Sequence, residues 1–304
     1  MDVGVVLPTL GARDGSPADI VAAARHAEDL GFESAWVVDQ LVAGTGVPIL
    51  DSLISLAAAA GATERVRLGV GVLIVPLRPL VWVAKQVASL QHISGDRLLL
   101  GVGAGGDRHQ ASWAAAGVPR KERGRRTDEA LRLLPDLISG RPVRPGDQPS
   151  GPEIQLSPGA TVPPIIIGGM SAAAMGRAAR YGDGWFVLGP PDQVSQSRMR
   201  MQEIAAGLGR PAPALTANLM VAMHGDPGLP DRAAILGSLS DPDGLYGVPA
   251  EAAGAAVTID GPGGVAGRLA ELKASGAGRV VVTITAGDWF RQARLLAEAA
   301  DLKG

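Results

Sequence analysis

The residues that could do chemistry gather where short apolar runs end. Asp39 directly follows residues 35–38, and Gly168-Gly169-Met170-Ser171 follows residues 165–167. A carboxylate at a strand end can orient a substrate or take a proton, but a capping or salt-bridging aspartate fits the same position. The backbone amides of residues 168–171 and the Ser171 hydroxyl could hold a phosphate at the start of a helix. A glycine turn with Ser171 as an ordinary N-cap is equally compatible with this pattern.

A second glycine-rich segment ends another apolar run. Gly103-Ala104-Gly105-Gly106 resembles the first segment but leads into a loop, so it is the weaker phosphate candidate. His109 follows in that loop. It could be a mobile acid or base, and an exposed histidine without a role would look the same. Glycines at strand ends let the backbone approach a ligand closely, which favours a flat ring system with a phosphate.

Metal and serine-hydrolase chemistry have little support in the sequence. The chain has no cysteine, and its histidines form neither HxH nor HExxH, so we expect no metal site. No GxSxG motif is present, which disfavours a serine hydrolase.

The elements that must position these residues alternate between strand and helix. Residues 66–74 and 97–102 are apolar runs, and residues 81–93 between them have one apolar helical face. Strands this apolar are buried on both faces, as in a parallel sheet. Eight such strands are predicted along the chain, so we expect a (β/α)8 TIM barrel with its site at the carboxyl ends of the strands. The predicted strands are residues 3–7, 35–38, 66–74, 97–102, 165–167, 185–188, 215–223 and 279–285.

The barrel is expected to occupy residues 1–304 as one domain, with Pro/Gly-rich excursions at about 140–164 and 225–264. The first excursion could be a hairpin or a lid, and the second should hold a short helix near residues 232–239. A doubly wound open sheet is the alternative fold. It would require a GxGxxG turn after an early strand, whereas the first strand ends in Leu-Pro-Thr.

Composition limits the partners. Apolar residues make up 46% of the 304-residue chain, and its net charge of −2 comes without a long basic stripe, so nucleic acid is disfavoured and a small-molecule substrate is favoured. No signal peptide or membrane span is visible, so we expect a cytoplasmic protein. Scarce lysine beside arginine, with abundant alanine and glycine, is typical of a high-GC bacterial source.

Several blocks together resemble the luciferase-like monooxygenases and their deazaflavin-dependent relatives. The blocks are AEDLGFESAWVVDQ, RLGVGVLIVPLRPLVWVAKQVASLQHISGDRLLLGVGAGG, RGRRTDEALRLLPDL, PPIIIGGMSAAAMGRAARYGDGWFV and GGVAGRLAELKASGAGRVVV. They stand in the family's order and approximate spacing over nearly the whole chain. The resemblance implies a barrel with an insertion that binds the deazaflavin F420 or FMN at its mouth. A homodimer is a further expectation from the family.

The resemblance also implies roles for particular residues. Gly71 and Val72 match a bulge, often with a cis peptide, that supports the back of the ring. Ala104 and Gly105 would lie along the cofactor, and Gly168 to Ser171 (Gly168, Gly169, Met170 and Ser171) would hold its phosphate. Asp39 would face the ring or the substrate.

Two departures shape the expected reaction. The family's sugar-phosphate dehydrogenases have histidine where this chain has Gln40, and glutamate where it has Gly106. Asp107 is one position away from the missing glutamate and could compensate. Sugar-phosphate oxidation is therefore disfavoured. The resemblance favours an F420-dependent oxidoreductase that transfers a hydride between the deazaflavin C5 and a small organic substrate, in the reductive direction. The alternatives are an FMN-dependent monooxygenase that needs a separate flavin reductase, and a flavin- or deazaflavin-binding protein without turnover.

Overall fold

Eight parallel strands close into a barrel. The computed structural model describes residues 1–9, 19–44, 47–106, 110–144, 152–244 and 246–302. Each barrel strand pairs with its neighbours in the order β1-β2-β3-β4-β5-β6-β7-β9, and β9 pairs again with β1. The predicted (β/α)8 barrel is thus confirmed. The strands are β1 (Asp2–Val6), β2 (Ser34–Val37), β3 (Arg67–Ile74), β4 (Leu98–Gly103), β5 (Ile165–Gly168), β6 (Gly184–Val187), β7 (Ala214–Met223), β8 (Val257–Asp260) and β9 (Arg279–Ile284).

Helices surround the barrel, and five of those described begin at a residue whose side chain caps the helix. Asp51, Ser171 and Asp288 accept hydrogen bonds from backbone amides in the first turns of α2, α6 and α11. The helices are α1 (Ile20–Asp29), α2 (Ser52–Ala62), α3 (Leu80–Ser94), α4 (Gln110–Ala115), α5 (Arg123–Ile138), α6 (Ala172–Tyr181), α7 (Pro191–Gly207), α8 (Arg232–Ser240), α9 (Ala250–Ala256), α10 (Pro262–Ala274) and α11 (Trp289–Ala299). No helix in the described ranges is both long and apolar enough to cross a membrane.

The sequence did not predict three of these elements. β8 lies inside the second excursion and pairs in parallel with the end of β7. α9 precedes β8 directly, and its Ala-Gly composition shows no apolar face. α4 occupies part of the stretch predicted as a loop after β4. In the first excursion, Val143 and Ile154 form an antiparallel bridge, and residues 145–151 between them lie outside the described residues.

Large side chains fill the inside of the barrel. Trp36 is 1% exposed and lies edge-on to Phe186, with ring centroids 5.8 Å apart. The Trp36 indole donates a hydrogen bond to Ser34 Oγ at 2.7 Å. A Cβ atom added to Gly4 of β1 or Gly69 of β3 would overlap the Trp36 ring. The absence of side chains at these two glycines therefore leaves the space that the ring fills.

Asp226 joins the end of β7 to the start of α11. Its carboxylate accepts hydrogen bonds from the amides of Gly228 and Asp288 at 2.9 and 2.7 Å, and from Gln292 Nε2 at 3.3 Å. Burial raises the pKa of Asp226, but together these hydrogen bonds lower the pKa by more than burial raises it. The net pKa is therefore below the usual 3.8. The ionised form therefore stabilises the folded chain.

The stabilisation by Asp226 should disappear in acid. Because its pKa is lower in the folded chain, the contribution is present above the unfolded pKa and is lost as the pH falls through the folded pKa. Between about pH 5 and about pH 3, thermal denaturation should show a smaller loss of Tm for Asp226→Asn than for the unsubstituted protein. The control is Glu203→Gln on the exposed face of α7. An Asp226→Asn variant whose Tm falls as steeply as that of the unsubstituted protein would contradict this assignment.

Candidate functional site at the barrel mouth

An extra residue in β3 shapes the mouth of the barrel. Val70 pairs with Leu100 of β4 and Leu73 pairs with Val102, so β3 takes three steps where β4 takes two. This register shift is a β-bulge, and the peptide bond between Gly71 and Val72 within it is cis. The bulge lies at the position that the resemblance to the luciferase-like family indicated. Whether Gly71 and Val72 support a cofactor ring stays a prediction.

Glycines on β4 and β5, the next two strands of the barrel, leave room for the bulged Val72 side chain. A Cβ atom added to Gly103 of β4 would lie 2.5 Å from Val72 Cγ2, and one added to Gly168 of β5 would lie 2.9 Å from Val72 Cγ1. A Cβ atom on Gly101 would be 3.0 Å from Val72 Cγ1 and would also overlap the carbonyl of Val70. Val72 is half-buried and packs against the Trp36 cluster inside the barrel. It therefore forms part of the apolar floor of the mouth.

Asp39 holds the chain that follows this bulge. Its side chain is 1% exposed and accepts hydrogen bonds from Ser52 Oγ and from the Ile74 amide, both at 2.8 Å. Both terminal nitrogens of Arg78 donate to the two carboxylate oxygens, each at 2.8 Å. Burial lowers the pKa of Arg78, but the Asp39 and Asp51 carboxylates raise it more, so its net pKa is raised. These contacts favour a positioning role, and the predicted catalytic role of Asp39 stays a prediction.

The end of β4 contributes one side of the mouth. Ala104 and Gly105 are half-buried, and Gly105 has a φ of +69° that suits glycine. A side chain at Gly105 would approach Trp113 and Ile74, at 2.8 and 2.9 Å from a Cβ atom. Gly106 is exposed and faces open space. The two weaker catalytic candidates, Asp107 and His109, lie outside the described residues.

The end of β5 presents the start of α6. Ser171 caps this helix, because its Oγ accepts a hydrogen bond from the Ala174 amide at 3.2 Å. Ser171, Ala172 and Ala173 are exposed, and the amides of the two alanines belong to the first turn, where no intrahelical acceptor exists. Gly169 has a φ of +119°, and its carbonyl accepts a hydrogen bond from Trp185 Nε1 at 2.9 Å. Together with the half-buried Gly168 and Met170, these residues form a cradle with free amide donors that could hold a phosphate.

The described part of the chain offers few other groups for chemistry at this end of the barrel. It contains no group of three or more His, Asp or Glu side chains placed to hold a metal ion. Gln40 is half-buried beside Asp39. The sequence did not indicate a role for Arg78, although Arg78 lies within one of the blocks that carry the family resemblance. An arginine four residues after the predicted strand was the available signal.

The fold and the candidate site place the protein in a class: parallel (β/α)8 barrels whose candidate ligand-binding groups lie at the carboxyl ends of the strands. More narrowly, the chain belongs to the luciferase-like monooxygenase family, whose model matches residues 1–235. An uncharacterised protein of Mycobacterium tuberculosis is 34% identical over 171 residues, which are 55% of this chain and 58% of that protein. An F420-dependent glucose-6-phosphate dehydrogenase of Beutenbergia cavernae is 32% identical over 205 residues, which are 66% of this chain and 61% of the dehydrogenase. The matches thus span less than two thirds of either relative.

A solved structure shows the same fold over the full length. It is an F420-dependent secondary alcohol dehydrogenase in complex with an F420-acetone adduct, with a TM-score of 0.83 and 18% identity. The alignment covers 100% of this chain and 99% of that chain. At this identity the likeness shows the fold and leaves the activity open.

Removing Arg78 should destabilise the protein strongly. Arg78→Met leaves the Asp39 carboxylate buried without its charge partner, and such a loss costs about 3 to 5 kcal/mol of unfolding free energy. The matched control is Arg144→Met, which breaks an exposed pair with Glu153 and should cost about 0 to 1 kcal/mol. Urea denaturation measures both changes. Equal losses in the two variants would show that the Asp39 pair does not stabilise the mouth.

Proposed function

We propose that this protein is an F420-dependent oxidoreductase that transfers a hydride between the deazaflavin C5 and a small organic substrate, in the reductive direction. The observation that carries the proposal is the bulge that places Val72 in the barrel mouth, beside an exposed helix N-terminus at the end of β5. The relative described as an F420-dependent dehydrogenase, at 32% identity, supports F420 as the cofactor.

The residues of the mouth fit such a cofactor. In the proposed arrangement, Gly71 and Val72 lie behind the flat ring and Ala104 and Gly105 lie along its side. The phosphate is held by the segment from Gly168 to Ser171, where the hydroxyl hydrogen of Ser171 is free to donate because its oxygen serves as the helix cap. When bound, F420 supplies a two-electron hydride donor or acceptor. The chain would position the cofactor and the substrate and exclude water from the site.

Proton transfer needs a group other than Asp39. Its two oxygens already accept hydrogen bonds from Ser52, Ile74 and Arg78. Gln40 has no basic group at neutral pH, and Gly106 has no side chain. We therefore propose that Asp39 fixes the bulge and that the proton comes from Asp107, His109 or bound water.

An FMN-dependent monooxygenase with a separate flavin reductase is the second candidate, and the description of the matching family model favours it. Oxygen consumption with reduced FMN and a substrate would support the monooxygenase.

A protein that binds flavin or deazaflavin without turnover is a third candidate, motivated by Gln40 and Gly106. It would be favoured if bound reduced cofactor were not reoxidised by a panel of carbonyls, imines and enones.

A parallel titration with F420 and FMN, read by fluorescence, tests the cofactor. We expect F420 to bind with a micromolar or lower Kd and to bind at least tenfold more tightly than FMN. The deazaflavin chromophore without its phosphate should bind at least tenfold more weakly, since it cannot use the start of α6.

Gly103→Ala should also weaken F420 binding, because the added methyl group displaces Val72. Adding Val72→Ala to the same chain should restore F420 binding.

Gly176→Ala is the control for this titration, because Gly176 lies in α6 with open space around it. Its F420 affinity should stay within about twofold of the unsubstituted protein, since an alanine in a helix interior is favourable. Tight FMN binding without F420 binding would refute the F420 assignment.

We also propose that two copies of the chain associate through α2 and α3. Ile54 and Trp82 on these neighbouring helices are 71% and 67% exposed, which is unusual for such large apolar side chains. Trp82→Glu should reduce the mass found by light scattering from that of a dimer to that of a monomer. Met199→Glu, on the exposed face of α7, should leave the mass unchanged. A monomeric mass for the unsubstituted protein would refute the dimer.

A further inference from the structure

The wall of the barrel is split beside β7. β6 pairs with residues 214–217 of β7, and β8 pairs with residues 220–223. β9 pairs with residues 216–221 and so occupies the opposite edge of β7. β6 and β8 therefore share one edge, and at Asn218 and Leu219 none of the described strands pairs with that edge.

A cavity of about 320 Å³ lies at this split. Asn218, which lines it, pairs in register with Val281 of β9, and Val281 packs with Trp36 inside the barrel. Leu219 and Leu272 of α10 also line the cavity, and both belong to the core between the barrel and its helices. Because residues from both faces of the wall line it, the cavity reaches from the helix layer to the inside of the barrel.

The walls of this cavity favour a neutral, apolar ligand. Among its lining residues Arg268 alone is charged, and its guanidinium already pairs with Glu271 at 2.8 Å. α7 begins at the cavity, but Pro190 and Pro191 have no amide hydrogen to offer an anion, and Asp192 adds a negative charge to the first turn. Alanines of α9 cover another side. Arg268 is thus the one lining side chain with a charge to offer an anion, and Glu271 already offsets that charge.

Asn218, one of the lining residues, has a fixed side chain with an acceptor that is not used. Asn218 Nδ2 donates hydrogen bonds to the Val281 carbonyl at 3.2 Å and to Thr283 Oγ1 at 3.0 Å. These contacts use both amide hydrogens and fix the side chain, while Asn218 Oδ1 accepts no hydrogen bond from the described residues. A ligand hydroxyl would supply the missing donor.

We propose that the cavity binds an alcohol or a phenol with an apolar body, and that its hydroxyl donates a hydrogen bond to Asn218 Oδ1. Since one water molecule takes about 30 Å³ of the liquid, the space suits a ligand of about ten non-hydrogen atoms. Leu188 and Gly189, which line the cavity, directly follow β6, and β6 pairs with β5, whose end carries the proposed cofactor cradle. That the bound alcohol or phenol is a substrate rests on the proposed function, whereas its binding in the cavity does not.

Binding of 2-naphthol, followed by its own fluorescence, tests this proposal. 2-Naphthol should bind at least tenfold more tightly than naphthalene, which lacks the hydroxyl, and than 2-naphthoate, which carries a charge. Asn218→Leu should bring the affinities for 2-naphthol and naphthalene to within about twofold of each other. Equal binding of 2-naphthol and 2-naphthoate by the unsubstituted protein would overturn the proposal.

A filling substitution locates the binding. Ala252→Phe places a ring in the cavity and should weaken 2-naphthol binding at least tenfold, whereas Ala233→Phe on the exposed face of α8 should leave it unchanged. Thermal melts of both variants show whether each is folded. Undiminished 2-naphthol binding by a folded Ala252→Phe variant would overturn the proposal. If 2-naphthol binds as expected while F420 does not bind, the proposed function fails and the binding site stands.

Discussion

The mouth of the barrel depends on the space that the Val72 side chain occupies. Protein interiors are close-packed, so an extra residue pushed into the barrel needs an equal volume left free elsewhere. Gly103 on β4 and Gly168 on β5, the next two strands of the barrel, leave that volume. The bulge on β3 and the glycines on β4 and β5 are therefore one feature of packing. The sequence pattern suggested that these glycines make room for a ligand, whereas in the structure they make room for the protein's own Val72 side chain.

The pair of Asp39 and Arg78 secures the chain after the bulge. A carboxylate that is 1% exposed must be compensated, and here four donors meet its two oxygens. One donor is the amide of Ile74, the residue at which β3 ends. The pair thus fixes the direction in which β3 leaves the barrel, and with it the position of the floor. A carboxylate bound in this way is poorly suited to accept a proton during a reaction.

Local pattern predicted most of the fold, because each barrel strand is a short apolar run between glycines, prolines or charged residues. β8 escaped prediction because a strand of four residues in a glycine-rich excursion has too little alternation to be distinguished from a loop. α9 escaped because alanine and glycine do not mark a buried face. The contact between Arg78 and Asp39 joins residues 39 positions apart, and no local pattern reveals which distant charges meet. The resemblance to a family, in contrast, located the bulge, because it uses positions along the whole chain.

The split beside β7 follows from unequal strand lengths. β7 has ten residues, whereas β6 has four, so more than half of one edge of β7 extends beyond its neighbour. An unpaired strand edge must be covered, and β8 covers four residues of it. The gap that remains lies on the β6–β8 side of the barrel, while the bulge, its glycines and the start of α6 lie on the β3–β5 side. Substitutions in the excursion around α9 could therefore change what enters the cavity without disturbing the floor under Val72. A barrel built this way would separate the residues proposed to hold the cofactor from those proposed to contact its reaction partner.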